Sequence, residues 1–292
     1  MPIQMIQKIK NNWGDIPSSL TWYFIGPPKT GKTTQASKWS VKGSDGVVLL
    51  DTDLGADFVD GANIIPITSL APPFRNVKDK NGKNITETIG GRERDKVEIV
   101  PPDERGLYYR VGINKGKPMP VYSMVEALDY LRTNWKDLPF DTIAIDTVDK
   151  INEWQEKMTK ERFDIEALAD LDFGKGWSIP KENQLGSIAS LQLFLRSVSG
   201  NLVMISHSKN TITVDKKVQL VPDIPSGVGK GLCKMAEVIG FTTCNKANGK
   251  YYVSFLAYEE RNIGSRLKPL AQKRLDFDYK TVINEIKSYK EK

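Results

Sequence analysis

Histidine occurs once in this 292-residue chain, at His207, and cysteine twice, at Cys233 and Cys244. That inventory excludes a zinc site built from cysteine and histidine alone and gives no disulfide framework, so no structural metal is expected. Apolar runs are short, and none approaches the roughly 18 residues that a membrane span needs. The opening residues, MPIQMIQKIKNNW, hold no apolar stretch of the kind a secretory signal carries, so the chain reads as intracellular and without a membrane partner.

With 39% hydrophobic and 27% charged residues, the composition is that of a folded globular protein. The length suits one large α/β domain with insertions, taken here as residues 1–292. Charge is unevenly spread. From Lys209 to the end, 16 Lys/Arg stand against 9 Asp/Glu, so the net charge of +6 resides in the carboxy-terminal third and the rest is close to neutral. Clustered positive charge is the electrostatic footprint of a nucleic-acid binder, and equally of a lysine-rich solvated surface.

Residues 1–20 read as a short amphipathic helix and a loop. The apolar runs at 22–25 and 46–51 are continuous, as in strands buried on both faces of a parallel sheet. Further strands are expected at 141–146, 201–207, 238–244 and 250–258, with helices at 122–134, 148–163, 183–198 and 279–289, and a helix starting over 33–40. This alternation predicts βαβ units and a mostly parallel sheet with helices on both faces. Residues 71–120, rich in glycine, proline and charge, break the pattern and read as a hairpin-rich insertion. Residues 208–231, SKNTITVDKKVQLVPDIPSGVGKG, read as a small basic hairpin ending in a glycine-rich tail.

Between the first strand and its helix lies GPPKTGKTT, comprising Gly26, Pro27, Pro28, Lys29, Thr30, Gly31, Lys32, Thr33 and Thr34. It fits G-x-x-x-x-G-K-[ST] in the strand-to-helix context that gives the pattern meaning. Glycines let backbone N–H groups converge on phosphate oxygens. Lys32 is a point charge for the β- and γ-phosphates, and the Thr33 hydroxyl is a ligand for Mg²⁺. ATP and Mg²⁺ are the expected cofactors. DTIAID then sets Asp146 at the carboxyl end of a buried strand as the second Mg²⁺ partner. Thr147 follows it where many mechanical ATPases have glutamate, so the group that polarises the attacking water is sought in LLDTD, as Asp51 or Asp53. His207 ends another apolar strand at the edge where open parallel sheets bind ligands. It is a candidate γ-phosphate sensor, able to pass the state of the nucleotide to the basic segment that follows.

These residues, with FGKGW at 173–177, ISHSK, PDIPSGVGKGLCKMAEVIG and IGSRLKPL at 263–270, resemble the RecA-like ATPases of bacteriophages, of the core-only recombinase or single-strand-annealing type grouped as phage AAA-type ATPases. The resemblance covers nearly the whole chain outside 71–120. It implies a RecA-like P-loop core, ATP bound at subunit edges, assembly into a ring or filament, and single-stranded DNA held by two mobile loops, here 155–182 and 208–231. The corresponding DNA-binding residues are Lys209, Lys216, Lys217 and Lys230, with Trp154, Phe173 and Trp177 placed for base stacking. Arg266, with Arg261 and Lys268 as alternatives, is the candidate charge supplied to a neighbour's γ-phosphate. The implied setting is the cytoplasm of a phage-infected host, with a single-strand-binding protein as a further partner. The chain departs from the pattern in having aspartate rather than glutamate as its water-activating candidate, and in its insertion. Other functions compatible with the motifs are a DNA motor or loader and a small-molecule P-loop kinase, the latter disfavoured because no arginine-rich lid is evident.

Overall fold

A computed structural model describes residues 18–212, 218–256 and 263–289. The expected amino-terminal helix lies almost wholly outside them, as do Lys216, Lys217 and Arg261. The central element is an eleven-stranded sheet. Its middle is parallel: β3 (Asn63–Ser69), β2 (Val47–Asp51), β9 (Thr142–Asp146), β10 (Asn201–Ile212), β1 (Thr21–Gly26) and β12 (Val238–Asn245), in that spatial order. On one side β13 (Lys250–Ser254) and β15 (Arg274–Asp276) continue antiparallel, and β14 (Gly264–Ser265) pairs with the start of β12. The fold is thus α/β, with a large, mostly parallel sheet flanked by helices, as the apolar runs predict.

Every residue of β1, β2 and β9 is buried, because side chains of a central strand alternate between two covered faces. One face takes Tyr23, Ile25, Val48, Leu50, Ile143 and Ile145. It packs beneath α2 (Met124–Asn134), α3 (Val148–Phe163), α4 (Lys175–Ser197) and α5 (Ser226–Met235). The other takes Trp22, Phe24, Val47, Leu49 and Ala144 against α6 (Tyr279–Lys287) and Trp39.

Several elements differ from expectation. The helix after the phosphate loop, α1 (Lys32–Ala36), ends early because Trp39 turns into the core, its ring centroid 4.6 Å from that of Phe24 and 5.6 Å from that of Phe277. Helix α4 begins eight residues sooner than the periodicity places it and carries Pro180 inside. Strand β3 was not anticipated, since NIIPITS holds a proline and is only half-buried. The basic hairpin forms from β10 and β11 (Val218–Pro222), but its glycine-rich tail is helix α5. A Cβ on Gly231 would stand 2.5 Å from Leu185, so the glycine is what lets α5 lie against α4. Trp154 packs into the core and does not face a DNA loop, and the expected first DNA loop is largely helical, since α3 runs on to Phe163.

The segment after β3 forms a two-tier hairpin, with β4 (Phe74–Asn76) against β7 (Val97–Ile99) outside and β5 (Thr86–Ile89) against β6 (Arg92–Asp95) within. It returns to the main sheet at β8 (Tyr122–Ser123), beside β3. Arg105 secures this return. Its side chain is 3% exposed, and its guanidinium makes two 2.7 Å bonds to Glu126 and donates to the carbonyls of Val100 and Val121. Glu126 also closes the capping box of α2 with Ser123, and Arg105 pulls its carboxyl down to about 2. No helix among the described residues is long and apolar enough to cross a membrane.

Trp39→Ala should cost about 3–5 kcal/mol, because it deletes a fully buried indole ring that the neighbouring aromatics cannot collapse to replace. The measurement is the denaturant midpoint of purified protein. A midpoint equal to that of the wild type would show that the cluster behind the phosphate loop carries no such load.

Candidate nucleotide site

The parallel register brings the site together. Gly26, where the chain leaves β1, is paired with His207 on β10; Ile205 is paired with Asp146 on β9, and Asp146 with Asp51 on β2. Four neighbouring strands therefore deliver the phosphate loop, the histidine and two carboxylates to one edge of the sheet. Beyond that edge lies a cleft of about 370 Å³ whose walls include Gly31, Lys32, Thr33, Asp53, Asp146 and His207.

Within the loop, Gly31 has φ of +78°, a left-handed conformation that favours glycine, and the ring of Tyr251 lies where a Cβ would project, 2.9 Å away. Thr30 donates to the Pro27 carbonyl at 2.9 Å and meets the Thr242 hydroxyl of β12 at 2.8 Å, fixing the loop to its neighbour strand. The Lys32 amine folds back on the carbonyls of Gly26 and Pro27 at 2.9 and 2.7 Å. Burial lowers its pKa to about 8, against the pull of Asp146, Asp149 and Asp53. Asp146 moves the opposite way. Burial raises it to about 6, opposed by a hydrogen bond from the Thr33 hydroxyl.

The two water-activating candidates separate cleanly. Asp51 is turned into its own loop, accepting from the amides of Gly55 at 3.2 Å and Ala56 at 2.8 Å, so its oxygens are committed to backbone. Asp53 lines the cleft, and its carboxyl is raised by burial, with His207 the leading opposing influence. Asp146 does not cap α3, whose first position is preceded by Thr147; the Asp146–Thr147 peptide is cis.

Two participants escaped the sequence reading. Asp149, three residues past Asp146 and in the first turn of α3, accepts the His207 amide at 2.6 Å and the Ser206 hydroxyl, and its Oδ2 stands 3.2 Å from His207 Nδ1. This contact raises the histidine's pKa. The clue was the second carboxylate of IDTVD, but only the pairing of β9 with β10 tells which side chain it meets. Tyr251 had no local signal, since its place over Gly31 depends on β13 pairing with β12.

The remaining candidates lie elsewhere. Arg266 is at the opposite edge of the sheet, beside the start of β12, where it donates to the Lys234 carbonyl at 2.6 Å and stands 3.7 Å from Glu237. Lys209 pairs with Asp223 at 3.2 Å across the β10–β11 hairpin, and Lys230 is exposed on α5. Phe173 and Trp177 are exposed at the start of α4. Lys268 opens a short 3-10 turn, Lys268–Leu270, and does not line the cleft.

Because His207 is the only histidine, ring-proton NMR gives a single titration curve. Asp149→Asn should lower its midpoint, since the carboxylate that stabilises imidazolium is gone while burial still disfavours charge. The contact stabilises the fold fully below the ordinary histidine pKa, and its contribution is lost as the pH rises through the raised one. A midpoint unmoved by the substitution would show that Asp149 does not set the charge of His207.

The residues present fit a magnesium nucleotide. Thr33 and Asp146 already face one another as an oxygen pair, and no cluster of three or more acidic, histidine or cysteine side chains able to hold an ion by itself is found among the described residues. No curated protein matches the chain. The family model described as an AAA domain matches residues 19–267, from the threshold of β1 to just past β14. With the phosphate loop, Asp146 and the whole parallel sheet inside that match, the chain belongs to the AAA-domain family of P-loop ATPases.

Proposed function

We propose that this protein is a magnesium-dependent ATPase that acts on single-stranded DNA in recombination or strand annealing, working as a RecA-like assembly of several copies. The observation that carries the reading is the continuity of β10. One strand runs from Asn201 through His207, at the mouth of the phosphate loop, into the hairpin that bears Lys209. A change in what His207 contacts is thereby passed along the strand to the hairpin that bears Lys209.

In this reading Thr33 and Asp146 hold the metal, which supplies charge neutralisation at the phosphates. Lys32 binds the β- and γ-phosphates, and Asp53 orients the attacking water. His207, held by Asp149, reads the terminal phosphate. Arg266, whose guanidinium donates to the Lys234 carbonyl at the edge of the sheet opposite its own phosphate loop, would leave that contact to offer its charge to a neighbouring copy.

Lys32→Ala should abolish ATP hydrolysis and leave the circular dichroism spectrum unchanged, and single-stranded DNA should raise the wild-type rate. Hydrolysis indifferent to DNA would sink the DNA reading, and ATP-driven strand displacement would identify a motor instead. Replacing Lys209, Lys216, Lys217 and Lys230 together by alanine should weaken binding to all single-stranded sequences and reduce the salt slope by as much as about 3, at roughly 0.7 per phosphate contact. Binding with the same affinity and the same slope would show that these lysines serve another purpose.

A further inference from the structure

The segment between β3 and β8 contributes no strand to the cleft, yet it touches a loop that walls it. Five residues after Arg105 fixes this segment to α2, Arg110 reaches across to the loop that follows β2. Its Nε donates to Asp57 at 2.8 Å, its Nη2 donates to the Leu54 carbonyl, and its guanidinium lies 5.3 Å from the centre of the Phe58 ring. All three contacts fall within five residues of one loop.

That loop is a wall of the nucleotide cleft, to which Asp53, Gly55, Phe58 and Val59 contribute. It is gripped from within by Asp51, which accepts from Gly55 and Ala56, and from outside by Arg110. Leu54, between Asp53 and these anchors, has φ of +54°, a conformation that a leucine holds only when its surroundings impose it. Phe58 is 69% exposed, so little apolar packing holds it against the cleft.

We propose that Arg110 is a positioning residue for the nucleotide cleft, through which the segment 71–120 fixes the placement of Asp53 and Phe58 opposite the phosphate loop. The proposal rests on the ATPase reading for its kinetic consequence. An arginine suits the task because its planar fork engages a carboxylate and a carbonyl together while its face covers an aromatic ring. In the Arg110–Asp57 pair the arginine side chain is 52% accessible and the aspartate 13%, and solvent around the arginine screens the pair, so its contribution to global stability is small. Its effect therefore falls on where the loop sits rather than on whether the protein folds. Misplacement of a reacting group by a fraction of an ångström is costly to turnover while leaving binding largely intact.

The test uses the full chain and the variants Arg110→Ala, Arg110→Lys, Asp57→Asn and the Arg110→Ala/Asp57→Asn pair. Arg110→Ala should lower kcat about tenfold, leave KM for ATP within about threefold and leave Tm unchanged, the split expected when orientation rather than ground-state binding is lost. Lysine should restore part of the loss. The double variant should be no slower than Arg110→Ala, because both substitutions break the same contact. Amide hydrogen exchange over residues 53–59 should quicken in Arg110→Ala, and this readout requires no hydrolysis. Exchange equal to wild type would overturn the positioning role, as would faster exchange with kcat intact or fully additive losses in the double variant. Exchange that quickens in Arg110→Ala while the wild-type protein itself hydrolyses no ATP would refute the ATPase reading and retain Arg110 as the support of the loop.

Discussion

Register between parallel strands is the constraint from which the site follows. A slip of one residue in any of the β2–β9–β10–β1 pairings would turn Asp51, Asp146 or His207 to the other side of the sheet, and the cleft would lose its chemistry. Burial on both faces prevents that slip. Tyr23, Ile25, Ile143 and Ile145 on one side, and Trp22, Phe24 and Ala144 on the other, admit a single alignment in which both cores are filled. The polar edge is thus specified by apolar residues that never touch a ligand.

The electrostatics of that edge have one cause acting in two directions. Burial pushes Lys32 down to about 8 and Asp146 up to about 6. Each group is held where its charge is poorly solvated, and each leans on the other and on Thr33 or the loop carbonyls for compensation. The fold tolerates these charges because the surrounding sheet and its helices bury enough apolar surface to offset them. His207 is the exception, since its contact with Asp149 outweighs burial and favours the charged form.

Much of this was legible in the sequence where a local rule was strong. Continuous apolar runs marked β1, β2 and β9, the span of α3 matched its periodicity to the residue, and GPPKTGKTT announced the phosphate loop. What stayed hidden depends on long-range pairing. Asp149 and His207 are 58 positions apart, and Tyr251 meets Gly31 only because β13 folds back on β12. The choice between Asp51 and Asp53 turns on which carboxylate the loop's own amides claim, a matter of backbone path rather than of residue type. Pro180 and the glycines of α5 misled for a related reason, because packing between helices overrode weak local propensities.

The outer rung of the two-tier hairpin pairs Phe74 with Ile99, so the chain leaves and re-enters at points about one strand spacing, roughly 5 Å, apart. Everything between them is topologically a cul-de-sac. Its contents can lengthen, shorten or be exchanged for another module at a small entropic cost, since closing a loop depends only weakly on its length. Arg105 and Arg110 lie on the near side of that gateway, so descendants of this chain could trade the hairpin for a different attachment while keeping the core's own geometry.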